Sequence, residues 1–294
     1  MSTLANRSLA EHYLSVGRTA SLESLFETDA GMMFTATSTE ALTTPPPTPD
    51  GRTLQKISKA LEQDLFFLYY QSIRPIDQGS KAIREVLVRL PDEKTGQIRL
   101  PRTFLPTAAR FGLMYEIDFW VVRRCFQEIE KTELANTIYS INLSRQTIHH
   151  HGFVDFIEHI VKEFSVDPSH ICFEITEADM CLDLQATTKI LLHLRDLGFC
   201  LALDRFDWKL SAFVALRQFP FSYLKVDGSL ISKITSDKGV LATLSLVTRL
   251  GQEMGMQTIA SHVSSSAIAE AASNLNFDYL QGFIISEPRP LVLL

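Results

Sequence analysis

Basic residues are outnumbered in this 294-residue chain, which has 28 lysines and arginines against 34 aspartates and glutamates. The formal net charge of -6 argues against bulk attraction to nucleic acid or to anionic membranes, although a local cationic pocket can still bind a phosphate. No apolar run approaches the length that crosses a bilayer, and the N-terminus lacks the basic and apolar segments of a signal peptide. We therefore expect a cytoplasmic protein with no nucleic acid partner and no membrane insertion.

Cysteine is scarce as well, and no two cysteines form a C-x-x-C pair. Three of the four lie inside apolar runs, which is typical of reduced core cysteines in a cytosolic protein. A disulfide framework is not expected in a chain of this length. The four residues are Cys125, Cys172, Cys181 and Cys200.

Prolines at positions 45, 46, 47 and 49 mark a break in the chain, because consecutive prolines sustain neither a helix nor a central strand. We predict a helical N-terminal arm over residues 1–42, a proline-rich linker over residues 43–55 and a main domain over residues 56–294. The arm has apolar residues at helical spacing, but about fifty residues are too few for a second full domain. It is either an appendage of the main domain or a contact for a protein partner or for a second copy of the chain in a homodimer.

Short apolar runs alternate with longer amphipathic stretches beyond the linker. This alternation predicts a largely parallel sheet, because parallel strands need crossover helices. The strand candidates, spread over about 240 residues, fit the α/β class and a closed (β/α)8 TIM-like barrel. An open doubly wound sheet is the alternative, and the lack of a glycine-rich nucleotide loop after the first strand counts against it. The predicted strands are Phe66–Ile73, Ile83–Leu90, Ile138–Leu143, Ile171–Ile175, Cys200–Leu203, Tyr223–Val226, Gln257–Ala260 and Tyr279–Phe283. The predicted helices include Tyr115–Glu130, Phe153–Phe164, Leu184–Leu197, Val240–Met254 and Ser266–Ala272.

Polar side chains recur at the ends of these strands, where the functional residues of a barrel lie. A buried carboxylate is costly unless it is paired, hydrogen-bonded or metal-bound, and oxygen ligands of this kind suit Mg²⁺ or Mn²⁺. Lys225 adds a cation that can face a phosphate. The sequence thus predicts a pocket for a phosphoryl ligand at the mouth of the barrel. Its main candidates are Glu85, Asn142, Glu174 and Asp204.

A series of short motifs runs along the main domain in a fixed order. The motifs are Tyr70-Gln71-Ser72-Ile73, Glu85-Val86-Leu87-Val88-Arg89, Phe104-Leu105-Pro106, Ile141-Asn142-Leu143-Ser144, Glu174-Ile175-Thr176-Glu177, Leu203-Asp204-Arg205-Phe206, Leu224-Lys225-Val226-Asp227 and Tyr279-Leu280-Gln281-Gly282-Phe283. Their order and spacing resemble the EAL family of cyclic di-GMP phosphodiesterases. The resemblance implies a site in which two divalent ions, held between carboxylates, generate the attacking hydroxide.

Four positions at the ends of two predicted strands depart from the pattern of that family. Arg205 stands where the family has a second aspartate, and a guanidinium is always charged and cannot ligate a metal. Ser261 and Ser264 stand where the family has two glutamates, and a hydroxyl is neither a useful general base nor a strong Mg²⁺ ligand. His262 replaces a glycine between them, where an imidazole either blocks a guanine base or stacks on it. We therefore predict a degenerate domain that retains Lys225 but is not an enzyme.

The retained motifs favour a receptor for cyclic di-GMP, similar to the pilus-regulating receptors of the FimX type, which carry E-V-L and bind the nucleotide without cleaving it. A protein-binding adaptor that has abandoned the nucleotide, and a weak phosphodiesterase, are the alternatives. No cofactor is required in the favoured function, although a single Mg²⁺ can occupy a vestigial site formed by Glu85, Asn142, Glu174 and Asp204. The expected nucleotide-binding residues are Gln71, Glu85, Leu87, Arg89, Phe104, Pro106, Asn142, Asp204 and Gln281.

Overall fold

A computed structural model of the protein describes residues 49–92, 96–131, 136–208, 216, 219 and 221–291. The predicted arm over residues 1–42 lies outside this part of the chain. Ten strands are described: β1 (Phe67–Pro75), β2 (Ala82–Pro91), β3 (Ile98–Arg99), β4 (Thr137–Asn142), β5 (Ile171–Thr176), β6 (Cys200–Phe206), β7 (Tyr223–Val226), β8 (Gln257–Ala260), β9 (Tyr279–Leu280) and β10 (Arg289–Pro290). All eight predicted strands are thus found, the last of them shorter than expected.

Helices occupy most of the stretches between the strands. The described helices are α1 (Pro49–Glu62), α2 (Leu105–Arg110), α3 (Met114–Glu130), α4 (Arg145–Ile148), α5 (Phe153–Glu163), α6 (Glu177–Leu182), α7 (Leu184–Asp196), α8 (Gly228–Ile231), α9 (Lys238–Glu253) and α10 (Ser266–Asn274). Short 3₁₀ helices precede α2 and β5. Helix α1 begins inside the predicted linker over residues 43–55, since Pro49 supplies the fixed φ that suits the first turn of a helix.

The strands close into a barrel in the order β1-β2-β4-β5-β6-β7-β8-β9, and β9 returns to β1. The pairs from β2 to β9 are parallel, whereas β1 runs antiparallel to both β2 and β9. The register places Gln71 of β1 opposite Glu85 of β2. The predicted (β/α)8 TIM-like barrel is confirmed, with one reversed strand.

Burial follows the pattern that a barrel wrapped by helices requires. Strand β5 is buried along almost its whole length, because one face fills the barrel and the other lies under the helices. Helix α5 shows the complementary pattern, since it buries Phe153, Phe156, Ile157 and Ile160 at helical spacing. Aspartate or serine side chains cap α7, α8, α9 and α10 by accepting hydrogen bonds from their first backbone N–H groups.

In the described ranges, no helix combines the length and the apolar character needed to span a bilayer. The described cysteines Cys125, Cys172 and Cys200 are free thiols, as the spacing predicted. Burial raises the pKa of the Cys125 and Cys172 thiols, which keeps both groups protonated at neutral pH.

Gly282, which follows β9, lies against the backbone of Val263. A Cβ atom at position 282 would meet the Val263 carbonyl oxygen at 2.0 Å and its nitrogen at 2.6 Å. The two segments are also joined by a hydrogen bond from the Val263 N–H to the Gln281 carbonyl, at 2.8 Å. Only glycine permits this approach, which holds the ends of β8 and β9 together beside the barrel mouth.

Gly282→Ala is therefore expected to lower the free energy of unfolding by about 3 kcal/mol or more, because backbone atoms cannot move aside as a side chain can. Gly79→Ala is the matched control, since its new Cβ would only meet the end of the Asp77 side chain, at 3.3 Å. Urea denaturation of both variants measures the difference. Equal, small losses in the two variants would contradict the close approach.

Candidate functional site

A cavity of about 1100 Å³ opens at the carboxyl ends of the parallel strands. This is the end of the barrel at which the sequence predicted a phosphoryl-ligand pocket. Its volume lies at the upper end of the range found for small-molecule sites. Of the residues singled out from the sequence, the cavity wall includes Gln71, Glu85, Leu87, Asn142, Asp204, Arg205, Lys225, Ser261, His262, Ser264 and Gln281.

The ammonium of Lys225 is the centre of the polar groups at the base of this cavity. Its Nζ atom lies 2.5 Å from Glu174 Oε2, 3.1 Å from Glu85 Oε2 and 3.8 Å from Asp204 Oδ1. Only 3% of the lysine side chain is exposed. Three carboxylates from three different strands therefore converge on one buried cation.

Glu85 is held from a second side by amide groups. The Asn142 side-chain amide donates to Glu85 Oε1 at 3.0 Å, and the Gln281 amide donates to Glu85 Oε2 at 2.6 Å. Gln281 also donates to Gln71 Oε1 at 3.1 Å, and Gln71 donates to the Ser286 carbonyl. Glu174 accepts a short hydrogen bond from the Ser140 hydroxyl. The predicted residues thus form one connected network across β1, β2, β4, β5, β7 and the end of β9.

The charge states of these groups follow from their positions in the network. Burial disfavours the charge of Glu85, but Lys225 and the hydrogen bonds from Asn142 and Gln281 outweigh it and lower the Glu85 pKa to about 2. Burial raises the pKa of Glu174 to about 8, against the attraction of Lys225. Burial also acts against the charge of Lys225, but the three carboxylates outweigh it and raise its pKa well above the ordinary value. Lys225 is therefore a permanent cation rather than a general base.

The donor set does not fit a divalent ion in this arrangement. Its four predicted ligands are oxygen donors of the kind that Mg²⁺ prefers, but the carboxylates converge on the Lys225 ammonium. Within the described ranges, no three His, Cys, Asp or Glu side chains are grouped as a metal ion would require. In this arrangement the ammonium takes the place between the carboxylates that an ion would need.

Arg205 lies at the rim of the cavity and not among the carboxylates. Its side chain is 74% exposed, and its Nε atom lies 3.9 Å from Asp204 Oδ2. The backbone at Arg205 has a φ of 56°, and a register shift interrupts the pairing of β6 with β7 at this point. The left-handed backbone thus accompanies a side chain that points toward solvent, and the guanidinium keeps only a long contact with Asp204.

The end of β8 carries the two substituted glutamate positions. Ser264 is exposed, whereas Ser261 is buried and its hydroxyl has no hydrogen-bond partner in the part of the chain that the structure describes. His262 has a φ of 60° and packs so closely on Gly228 that a Cβ there would lie 2.7 Å from the imidazole. Burial opposes the charge of Asp227, but hydrogen bonds from Ser229 and the charges of His262 and Arg205 outweigh it and lower the Asp227 pKa.

Three predicted nucleotide-binding residues do not reach the cavity wall. Arg89 is only 4% exposed, and its guanidinium donates to the backbone carbonyl of Val88. The guanidinium carbon lies over the Tyr69 ring, 5.0 Å from the ring centroid. Phe104 is fully buried in the core against Phe66, and Pro106 is exposed in the first turn of α2. The structure therefore places neither Phe104 nor Pro106 at the cavity. The Phe104 ring is buried in the apolar core, and Pro106 lies in the first turn of α2.

Asp118 on α3 was missed, although it also lines the cavity. It is 6% exposed, and its Oδ2 atom accepts from the Ser144 N–H at 2.8 Å and from the Thr147 hydroxyl at 2.5 Å. Burial raises its pKa to about 6, although these hydrogen bonds oppose the shift. The signal in the sequence was a single aspartate among apolar residues on the buried face of a helix.

Comparison with known proteins decides between the families that can share this fold. The family model described as "EAL domain" matches residues 54–288 of the chain. This chain belongs to the EAL domain family. The match confirms the family resemblance of the motifs.

Two of the similar proteins are named cyclic di-GMP phosphodiesterases. PdeB of Shewanella oneidensis is 33% identical over 239 residues, which are 80% of this chain and 28% of PdeB. PdeF of Escherichia coli is 28% identical over 241 residues, which are 81% of this chain and 32% of PdeF. The chain therefore spans about a third of the length of these relatives.

Two solved structures share the fold of the EAL domain. The PaMucR phosphodiesterase in complex with c-di-GMP is 28% identical with a TM-score of 0.75, and the match covers 81% of this chain and 98% of that one. The FimX EAL domain from Pseudomonas aeruginosa bound to c-di-GMP is 24% identical with a TM-score of 0.76, covering 81% of this chain and 97% of that one. The likeness to FimX shows the fold alone.

These findings correct one prediction. The prediction that the chain is not an enzyme is contradicted, because PdeB and PdeF, at 33% and 28% identity, are named phosphodiesterases. It gave decisive weight to Arg205, Ser261 and Ser264, whereas the structure leaves Arg205 at the rim and keeps Glu85, Asn142, Glu174, Asp204 and Lys225 together.

Replacing Lys225 by methionine would leave three carboxylates without their shared cation. We expect Lys225→Met to lower the free energy of unfolding by about 3–5 kcal/mol at pH 8, the usual effect of an uncompensated buried charge. The loss of unfolding free energy in Lys225→Met should be smaller at pH 5, because the carboxylates that lack the lysine then take up protons. The double variant Lys225→Met/Glu174→Gln should regain part of the stability that Lys225→Met loses. Denaturation in urea at both pH values measures these changes, and an equal loss in Lys225→Met at pH 8 and pH 5 would contradict the role of Lys225 in the network.

Asp118 predicts a pH dependence of stability. Its pKa of about 6 lies above the ordinary value of 3.8, so the folded state holds the proton more tightly than the unfolded state. Stability from this group is therefore fully present below pH 3.8 and falls as the pH rises through 6, by about 3 kcal/mol in total. Asp118→Asn should remove this fall, measured by urea denaturation from pH 4 to pH 7. A pH dependence identical to that of the wild type would contradict the assignment.

Proposed function

We propose that this EAL domain binds cyclic di-GMP in the cavity at the carboxyl ends of its strands. The observation that carries the proposal is the connected network of Gln71, Glu85, Asn142 and Gln281 on the cavity wall, which offers both donors and acceptors to a nucleotide. The PaMucR complex supports it, because that protein shares the fold at 28% identity and its structure holds c-di-GMP. Of the predicted nucleotide-binding residues, Gln71, Glu85, Leu87, Asn142, Asp204 and Gln281 are those placed to take part.

The charges of the cavity suggest where the phosphates of the ligand would lie. Lys225 is enclosed by carboxylates at the base, whereas the Arg205 guanidinium is exposed at the rim. A guanidinium in this position can form charge-assisted hydrogen bonds with phosphate oxygens. The substitution that removes a metal ligand of the family would then provide a direct contact to the ligand.

An exposed aromatic side chain is also part of the cavity wall. Phe283 follows Gly282, lines the cavity and is 72% exposed. A large apolar ring at a cavity mouth provides a platform on which a nucleobase can stack, typically with a contribution of about 1–3 kcal/mol per base. Leu87 provides further apolar surface on the same wall.

Hydrolysis of cyclic di-GMP is the second candidate, and the named phosphodiesterases favour it. The residues that remain together, Glu85, Asn142, Glu174, Asp204 and Lys225, are those that the family resemblance assigns to the reaction centre. A single Mg²⁺ would have to displace the Lys225 ammonium from between the carboxylates. The experiment below therefore compares samples with and without Mg²⁺.

The broader proposal is a cytoplasmic domain in cyclic di-GMP signalling that transmits the presence of the ligand to a protein partner or to a second copy of the chain. Signalling by a bound nucleotide requires only that the ligand bind two conformations with different affinity. Ser264, His262 and Arg205 are exposed on the cavity wall, where the ligand could alter such a contact.

Arg205→Gln should weaken cyclic di-GMP binding about tenfold, since it removes one charged contact to a phosphate while leaving the fold intact. Isothermal titration calorimetry with and without Mg²⁺ measures the affinity, and chromatography of the same samples detects any linear dinucleotide product. Arg195→Gln is the matched control, because Arg195 lies on α7 away from the cavity wall.

No heat from the wild type at saturating ligand, with or without Mg²⁺, would overturn the proposed function. Binding with an unchanged affinity in Arg205→Gln would place the phosphates elsewhere in the cavity. Formation of the linear dinucleotide that is lost in Glu85→Ala would support hydrolysis as an activity of the same site.

A further inference from the structure

Asp118 ties helix α3 to the segment that follows strand β4. Its Oδ2 atom accepts from the backbone N–H of Ser144 at 2.8 Å and from the hydroxyl of Thr147 at 2.5 Å. The Ser144 hydroxyl lies 2.9 Å from the Thr147 hydroxyl and accepts from the Thr147 N–H, which starts helix α4. One buried carboxylate therefore organises the whole turn from β4 into α4.

This turn begins two residues after Asn142, the last residue of β4. Between Asn142 and this turn, the backbone N–H of Leu143 donates to the backbone carbonyl of Glu174 at 2.9 Å. This bond aligns the end of β4 with β5. The Asn142 amide then reaches Glu85 at 3.0 Å. The backbone around Asn142 is thus fixed by β5 before it and by Asp118 after it.

A second contact holds the same two elements together. Gln146 accepts from the Met114 N–H at 3.1 Å and donates to the Ala109 carbonyl at 2.6 Å. These bonds satisfy backbone groups at the start of α3 and the end of α2, but they do not touch Ser144. The bond to the Ser144 backbone belongs to Asp118.

We propose that Asp118 is a positioning residue for ligand binding, which acts through Ser144 on Asn142 and so on the Glu85 carboxylate. The inference rests on the proposed binding of cyclic di-GMP, because that ligand would contact Asn142 and Glu85. An aspartate at this position is costly, since burial disfavours its charge. Its hydrogen bonds offset that cost and give the turn a single conformation, which apolar packing alone does not provide.

The test uses the full chain and compares two aspartates with the same local chemistry. Asp278 accepts from the Thr258 N–H at 2.6 Å and from the Thr258 hydroxyl at 2.9 Å, but it lies outside the cavity wall. Asp118→Ala and Asp278→Ala should both lower stability, because each leaves a backbone N–H and a hydroxyl without their acceptor. Only Asp118→Ala should weaken cyclic di-GMP binding, by about tenfold.

Two further variants separate positioning from general damage. Asp118→Asn keeps an oxygen acceptor and should retain the affinity within about threefold. The double variant Asp118→Ala/Asn142→Ala should bind as Asn142→Ala alone does, because two changes along one path are not additive. Additive losses in affinity, or an equal loss of affinity in Asp278→Ala, would overturn the proposal.

Hydrogen–deuterium exchange of the ligand-free protein distinguishes failure of this inference from failure of the proposed function. Asp118→Ala should speed exchange in the peptide over residues 142–148, and Asp278→Ala should leave that peptide unchanged. If the wild type binds no cyclic di-GMP but the peptide still responds to Asp118→Ala alone, the proposed function fails while the positioning of Asn142 stands. An unchanged peptide in Asp118→Ala would overturn the positioning role whether or not the ligand binds.

Discussion

The ion cluster around Lys225 is the interaction on which the rest of the site depends. Three strands each carry a carboxylate that points to the same place, and without a cation their mutual repulsion would oppose closure of the barrel mouth. Because the ammonium is buried and hydrogen-bonded, it neutralises part of this charge at a low effective dielectric. The positions of Asn142, Gln281 and Gln71 then follow, since each is linked to Glu85 directly or through one neighbour.

The cavity therefore has carboxylates at its base, whereas its rim carries the cation of Arg205 beside neutral polar groups. The acidic base repels anions, so an anionic ligand of the proposed kind would find favourable contacts only with amides and with cations nearer the surface. Arg205 provides such a cation because a left-handed residue interrupts β6 and turns the side chain outward. The substitution that removes a carboxylate of the family pattern therefore changes the electrostatics at the rim more than those at the base.

The order of the elements and the location of the site were accessible from sequence for different physical reasons. Strands and helices were found because apolar runs and amphipathic periods are local signals, and the polar residues at strand ends meet in any parallel barrel. The side-chain direction of Arg205 was not accessible, since it depends on one backbone angle. Phe104 and Pro106 were assigned by motif alone, and motifs do not report which face of a short segment meets the core. Asp118 was overlooked because its partners are a backbone N–H and a hydroxyl that lie 26 and 29 residues away.

The reversed direction of β1 has a consequence for the route of the polypeptide. In an all-parallel barrel, the residues that enter the first strand arrive at the end opposite the cavity. Here the register pairs Phe67, the first residue of β1, with Arg89 near the end of β2, so the chain enters the barrel from the end where the cavity opens. The segment that leads into β1 thus lies at the same end of the barrel as the cavity, and one reversed strand makes the entry of the chain a neighbour of the site.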